Sequence, residues 1–210
     1  MSNSQENPTK DTRERILLAA ADEFLSYGYD NTKLDEIVKK AHVSKTAIYK
    51  FYGGKRELFI ALAEYLNKDL LKLTLDQRDF RISSLDDLEK ILRKIGHDYL
   101  TCALEKDNIS KFRMALSMAT RVEEVSKQYF YMGQIRLCEF IARYFKAAME
   151  AKVIAYCDPE KAASHYVALL RADSHLRTVF DVDYQATEDD IKEAIDQAVK
   201  IFLYGYAPRN

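Results

Sequence analysis

The sequence predicts an all-α protein, and three observations carry that expectation. Apolar residues recur at intervals of three and four along most of the chain. Only 6 Gly and 3 Pro occur in 210 residues, too few to turn the hairpins of a many-stranded β fold. Hydrophobic residues make up 48% and charged residues 31%, which excludes a disordered chain and supplies a core without disulfide or metal staples. About nine helices are expected.

Residues 1–11 are polar and are expected to form a disordered arm. From Thr12 onward Ile16, Leu17, Ala20, Phe24 and Leu25 form a helical stripe that stops at Tyr27-Gly28, where Gly suits a left-handed helix end. Thr32 and Asp35 resemble a capping box for a short second helix, whose apolar face is Leu34, Ile37, Val38 and Ala41. His42-Val43 reads as a tight turn and Ser44 as the N-cap of a third helix over 45–51, with Ile48 pointing inward. Gly53-Gly54 breaks that helix. A fourth opens at Lys55 and carries Leu58, Phe59, Leu62, Tyr65, Leu66 and Leu70 on one side.

Further helices are expected over 84–105, 109–117, 122–151, 158–178 and 187–206. Asp158-Pro159-Glu160 supplies an N-cap, an N1 proline and an acid in the first turn. Thr187 precedes three carboxylates at the positive end of the last helix, in which Ile191, Ile195, Ala198 and Phe202 form a stripe widened by Val199 and Leu203.

Composition narrows the function. The formal net charge is −1, yet the segment 37–56 holds Lys39, Lys40, Lys45, Lys50, Lys55 and Arg56 and no acidic residue, whereas residues 57–210 carry 22 basic against 25 acidic side chains, a net −3. Phosphate attraction depends on cation density within about a Debye length of ~8–10 Å, so a short basic module can bind DNA while an acidic remainder faces away. A solvated helix face is the commoner explanation of a charge run. No apolar run approaches the roughly 18 residues of a membrane span, and the polar start is unlike a signal peptide, so a soluble cytoplasmic chain is expected. Cys102, Cys138 and Cys157 are odd in number and lack metal-knuckle spacing, and are read as buried thiols. His42, His97, His165 and His175 fit no zinc-protease pattern, and neither a nucleophile elbow nor a glycine-rich nucleotide loop occurs. An enzyme is therefore the weakest functional class, and no catalytic residue, metal or cofactor is expected.

Helices two and three, joined by a short turn and preceded by a supporting helix, have the layout of a helix-turn-helix whose third helix enters the major groove. Packing of Ile48 on Ile37 and Val43 leaves Lys45, Thr46, Tyr49 and Lys50 outward. Thr32 reads either as a phosphate anchor at the start of the second helix or as a cap. The stretch TRERILLAAADEFLSYGYDNTKLDEIVKKAHVSKTAIYKFYGGKRELFIAL, with Gly28-Tyr29, Thr32, Ile37, Val43-Ser44-Lys45, Ile48-Tyr49 and Lys55 in order, resembles the N-terminal DNA-binding domain of TetR/AcrR-type transcriptional regulators. That resemblance implies base-edge contacts at Lys45, Thr46 and Ala47 and backbone contacts at Thr32, Tyr49, Lys50 and Lys55. Lys33 and Ser44 complete the candidate DNA-binding set. Three positions depart from the family pattern. His42 stands where a turn Gly is usual, Phe51-Tyr52 reverses the common order, so that a phosphate contact moves to Tyr52 or is lost, and Gly54 replaces a polar N-cap. The expected domains are a DNA-binding module over 12–56 and a helical regulatory and dimerisation domain over 57–210.

The segment 111–206, including FRMAL, Gly133 and DPEKAASHYVALL, more loosely resembles the AefR-like C-terminal domain of the same superfamily. The resemblance implies a homodimer formed by the last two helices as a four-helix bundle, with Tyr166, Leu169, Leu170, Ile195, Val199 and Phe202 near the seam. Apolar and aromatic side chains available to wall an inducer site are Phe112, Met114, Met118, Tyr129, Phe130, Arg136, Phe140, Tyr144 and Tyr166, although such residues are core more often than cavity. Arg136, if inward, would call for a carboxylate partner or an acidic ligand. The function expected is a dimeric regulator of the repressor type, released from a palindromic double-stranded DNA operator by a small hydrophobic or amphipathic molecule. The alternative is an architectural or protein-responsive DNA-binding factor with no small-molecule inducer.

Overall fold

The computed structural model describes residues 8–73, 81–119 and 123–206, apart from the side chains of 8–11, 71, 73, 118 and 123–125. Among the described residues the chain forms eleven α-helices and one π-helical turn. They are α1 (Pro8–Asn31), α2 (Leu34–Ala41), α3 (Lys45–Tyr52), α4 (Lys55–Leu73), α5 (Leu85–Leu104), α6 (Lys106–Met118), α7 (Glu123–Phe130), the π turn (Tyr131–Ile135), α8 (Arg136–Glu150), α9 (Pro159–Arg171), α10 (Ser174–Phe180) and α11 (Glu188–Tyr206).

Side-chain caps set several of these starts. Ser44 Oγ accepts from the Ala47 N–H at 3.1 Å, Ser84 Oγ from the Asp87 N–H at 3.1 Å, and Asp158 Oδ1 from the Glu160 and Lys161 N–H groups at 3.0 and 3.1 Å. Thr187 and Asp190 bond reciprocally at the start of α11, with Asp in the role that Glu usually takes.

Four expectations are corrected. α1 begins at Pro8, four residues before the expected start, because proline fits a first helical turn where its missing N–H is no loss; residues 1–7 of the expected arm lie outside the described residues. The segment expected as one helix over 122–151 is split by the π turn at Tyr131–Ile135, which contains the buried Gly133, and Val122 lies outside the described residues. The helix expected over 158–178 breaks at Ala172–Asp173, where Asp173 leaves helical dihedrals (φ −122°, ψ −79°). Of the three cysteines only Cys138 is buried, while Cys102 and Cys157 are half-buried.

Packing groups the chain into two compact units, residues 1–67 with 113–132, and residues 68–112 with 133–210. The expected boundary after Arg56 falls inside the first unit, because Leu58, Phe59, Leu62 and Leu66 of α4 are buried in the same core as Ile16, Ala20, Phe24, Ile37 and Ile48. Each large apolar side chain so buried contributes about 1.5–3 kcal/mol.

A corner at residues 28–32 shapes this unit. Gly28 (φ 77°, ψ 168°) occupies a backbone region that is essentially closed to other residues and bends the end of α1. Thr32, buried, donates its hydroxyl to two carbonyls of the incoming helix, Gly28 O at 2.7 Å and Glu23 O at 3.1 Å. Tyr29, carried inward by the bend, stacks on Phe24 and meets Phe59 edge-on at 4.8 Å between ring centroids.

In the second unit α9 packs on α8, α5 and α11. Tyr166 is fully buried and donates its hydroxyl to Leu92 O at 2.5 Å, and Phe202 stacks between Phe145 and Tyr206. Gly96 of α5 permits this close approach, since a Cβ there would lie 2.8 Å from Tyr166 Oη, 3.1 Å from Leu170 Cδ2 and 3.3 Å from Ile195 Cγ1.

Two outcomes are expected in urea unfolding. Thr32→Val should lower stability by about 1–3 kcal/mol by leaving buried carbonyls short of a donor, whereas Thr32→Ser should retain most of it. Gly96→Ala should destabilise by about 1–3 kcal/mol despite the better helix propensity of alanine, and the Gly96→Ala/Tyr166→Phe double variant should lose less than the sum of the single changes; strict additivity would show that the hydroxyl does not set the spacing.

Candidate nucleic-acid interface

An eight-residue helix is too short to be stable alone, so α3 depends on what it buries. Ile48 is fully buried in one cluster with Ile37 and the half-buried Val43. The link between α2 and α3 is the turn read from the sequence. His42 takes the left-handed conformation (φ 52°, ψ 50°), and the N–H groups of His42 and Val43 return to Lys39 O and Val38 O at 3.3 and 3.2 Å. At the far end Gly53 (φ 91°) stops α3, and its N–H bonds to Tyr49 O.

With Ile48 inward, the opposite face of α3 is open to solvent. Ser44, Lys45, Thr46, Tyr49 and Lys50 are exposed, Tyr49 by 52%, and Ala47 is half-buried. Lys33, which begins α2, is also exposed. Those on α3 form a polar, basic and aromatic face, with Ser44, Lys45 and Thr46 at its N-terminal end, where the first N–H groups of a helix carry partial positive charge.

Two members of the expected set turn toward their own chain. Thr32 is buried and caps the end of α1, and the N-cap of α2 is Lys33, without a side-chain cap bond, so the Thr32–Asp35 capping box does not form. Lys55 is half-buried, donates to Asp30 O at 3.2 Å and lies 4.6 Å above the Tyr29 ring, where it staples the corner shut. Tyr52 likewise donates its hydroxyl to Arg13 O at 2.8 Å, and burial pushes that hydroxyl up to about 12. Arg13 also lies over the Phe51 ring, so the reversed Phe51-Tyr52 pair ties α3 to α1.

The absence of acidic residues within 37–56 does not make the cluster free of carboxylates. Asp35 of α2 pairs with Lys45 at 2.8 Å; hydrogen bonding to that ammonium holds the carboxylate below its usual range and raises the lysine. Lys39 pairs with Glu36 at 2.8 Å, and Lys40 with Asp22 and Glu23 at 3.3 and 3.4 Å. Among the described residues Lys50 has no carboxylate within ion-pair distance. Asp22, Glu23 and Asp35 lie outside the basic run and meet it only once α1, α2 and α3 pack, whereas Glu36, also outside the run, reaches Lys39 one turn along α2. Exposed pairs of this kind are weak and screened by solvent, so a phosphate can displace them.

The residues proposed from sequence for a ligand site are divided between the two units. Met114 and Tyr129 are half-buried in the first unit; Phe112 belongs to the second, as do the buried Phe140, Tyr144 and Tyr166. Arg136 is exposed on α8, so it needs no buried partner. Phe130 is 56% exposed, and the Met118 side chain lies outside the described residues. The seam expected on the last helices is also corrected: Tyr166, Leu170, Ile195, Val199 and Phe202 are buried within the unit's own core and Leu169 is half-buried against it. The apolar stripe of α11 faces α5 and α9 of the same chain.

Family models match both parts of the chain: that of the bacterial regulatory proteins of the tetR family over residues 16–62, and that of the AefR-like transcriptional repressor C-terminal domain over 90–208. The uncharacterized HTH-type transcriptional regulator YhgD of Bacillus subtilis is 24% identical over 197 residues, 92% of this chain and 95% of that protein. The HTH-type transcriptional regulator RutR of Escherichia coli is 30% identical over 89 residues, 41% of this chain and 42% of its own. Among solved structures, the flavonoid-responsive regulator FrrA superposes with a TM-score of 0.71 at 26% identity, covering 95% of this chain and 98% of that one. A TetR family regulator from Pseudomonas syringae pv. tomato shares the fold with a TM-score of 0.68 at 21% identity over the full length of both chains. Two family models in the expected order, the first over a helix-turn-helix and the second over more than half of the chain, establish that the chain belongs to the TetR family of DNA-binding transcriptional regulators, which are not enzymes.

Proposed function

We propose that this regulator binds a palindromic operator as a homodimer, with α3 in the major groove, and that a small hydrophobic or amphipathic molecule releases it. The observation that carries this reading is the outward row Ser44, Lys45, Thr46, Tyr49 and Lys50 on a helix whose buried residue is Ile48. Lys45, Thr46 and the small Ala47 stand at the end of α3 that meets base edges, while Tyr49, Lys50 and Lys33 have the reach to grip phosphates. Ser44 serves as the cap that orients this end. Thr32 and Lys55 act indirectly, by holding the corner on which α2 and α3 rest.

One module offers few phosphate contacts, and two related by a two-fold axis double them and read half-sites about 34 Å apart. The surface proposed to bring two copies together is the outer side of α9, α10 and α11, in place of the buried stripe. Ser164, Ala168 and Ala172 give α9 an exposed row of small residues, while Leu176, Phe180, Val182, Ile201 and Tyr204 are exposed apolar groups, Phe180 by 81% and Tyr204 by 87%. A ligand that favours a wider spacing of the two α3 helices then weakens operator binding by linkage. The name of FrrA, a flavonoid-responsive regulator, supports small-molecule control in a relative.

Fluorescence anisotropy on a palindromic fragment from upstream of the coding sequence should give salt-dependent binding. Lys45→Ala and Tyr49→Ala should each abolish it with helical circular dichroism intact, and unchanged affinity would overturn the placement of α3. Asp35→Asn should instead raise affinity several-fold, because it frees Lys45 for phosphate or base; a loss would show that the pair positions Lys45 rather than competing for it. Phe180→Asp combined with Tyr204→Asp should give a folded monomer in analytical ultracentrifugation. Titration of hydrophobic molecules into the DNA complex should release the protein, whereas indifference to a broad panel would favour the partner-responsive alternative.

A further inference from the structure

Arg171, the last residue of α9, and His175, in the first turn of α10, are brought together by the helix break at Ala172–Asp173. The Arg171 guanidinium is half-buried, 5.5 Å from the ring centroid of Tyr99 and 5.9 Å from that of Phe112. Its Nε donates to the Tyr99 hydroxyl, and among the described residues no carboxylate lies within ion-pair distance of it. The buried cation elsewhere in this unit is treated differently. Lys111, 7% exposed, is met by Asp107 at 2.6 Å, Asp69 at 3.1 Å and Asn108 at 3.3 Å. Burying a cation without an anion is costly, and the chain supplies carboxylates to Lys111, whereas the half-buried Arg171 has only a hydroxyl and two rings beside it.

His175 repeats the pattern. It is 2% exposed, packs edge-on against Phe112 at 5.2 Å between centroids, and its Nδ1 is buried without a hydrogen-bond partner among the described residues. Burial, and then the Arg171 charge, push this imidazole down to about 4, so at neutral pH it is uncharged and can offer a single N–H. Buried polar groups ordinarily find partners, as Thr178 Oγ1 does one turn on, donating to Ser174 O at 2.7 Å. A half-buried guanidinium without a carboxylate, an imidazole nitrogen without a partner and two aromatic rings beside them have the chemistry of a site for an anion with an apolar body.

We infer that Arg171 and His175 form the polar end of a binding site for an organic carboxylate, with the guanidinium pairing the carboxylate, His175 Nδ1–H donating to it, and Phe112 and Tyr99 flanking the apolar part. This rests on the reading that a small amphipathic molecule controls the regulator, and it names the chemical class and the residues that select it. Arg171 thereby takes the role that sequence alone offered to Arg136, which is exposed.

Isothermal titration of the full-length protein with octanoate, decanoate and cinnamate, against octanol, octanamide and cinnamide, tests the assignment. The carboxylates should bind at least about thirtyfold more tightly than their neutral analogues. Arg171→Gln should remove that preference, Arg171→Lys should keep part of it, and His175→Phe, which preserves aromatic volume, should weaken carboxylate binding by about five- to tenfold. Arg136→Gln should change nothing. Unfolding midpoints and circular dichroism establish that each variant is folded, and the His175 side-chain 15N resonance should move when octanoate is added to the unmodified protein. Equal affinity for neutral analogues, an unaltered Arg171→Gln protein, or no binding by any carboxylate would overturn the inference. Operator release measured in parallel separates the two readings: Arg171-dependent carboxylate binding without release leaves the site standing and removes the inducer role, whereas release by neutral molecules that is indifferent to Arg171→Gln removes the site and leaves small-molecule control standing.

Discussion

A helix of eight residues such as α3 cannot hold its own shape in water, and that constraint organises the first unit. α3 persists because Ile48 is buried against Ile37, Ser44 caps its first turn, and Gly53 ends it before Lys55 begins α4. The support beneath it rests in turn on the corner at Gly28–Thr32. The bend lets Tyr29 enter the aromatic group with Phe24 and Phe59, and the Thr32 hydroxyl and the Lys55 ammonium donate to carbonyls around it. Residues that in a linear reading look like phosphate contacts are thus spent on rigidity, which keeps the outward row of α3 in one orientation.

The electrostatics of that row are those of a poised surface. Three of its neighbouring lysines are held by acids from α1 and α2, so the free protein carries less unbalanced charge than the sequence run implies. Pairs this exposed are weak and exchangeable, and the polyanion that displaces them gains from the release of counterions as well. Asp35 therefore holds Lys45 only in an exposed pair that a phosphate can replace.

The second unit solves a different problem, the packing of α5, α9 and α11 at close range. Gly96 removes the side chain that would collide with Tyr166, and Tyr166 uses the space to deliver its hydroxyl to a carbonyl of the facing helix. Near this packing, the His175 Nδ1 is buried without a hydrogen-bond partner and the Arg171 guanidinium meets a hydroxyl and two rings but, among the described residues, no carboxylate.

The all-α class, the positions of α1 to α4, the Ser84, Asp158 and Thr187 helix starts and the outward face of α3 were legible in the sequence because each depends on interactions spanning at most a few residues: helical periodicity, caps and glycine. The π turn at Gly133 and the break at Asp173 were not, because the flanking residues continue a helical pattern and only packing forces the interruption. Which side of the apolar stripe on α11 is covered, by this chain or by a second copy, is invisible to periodicity, since both give the same spacing; tertiary packing assigned Tyr166, Ile195, Val199 and Phe202 to the core. The same holds for charge. Composition located the basic run, but whether a given cation meets an acid, as Lys45 meets Asp35, or meets none, as at Arg171, is settled by contacts between residues far apart in sequence, where electrostatic interaction depends on a few ångströms of separation and on burial.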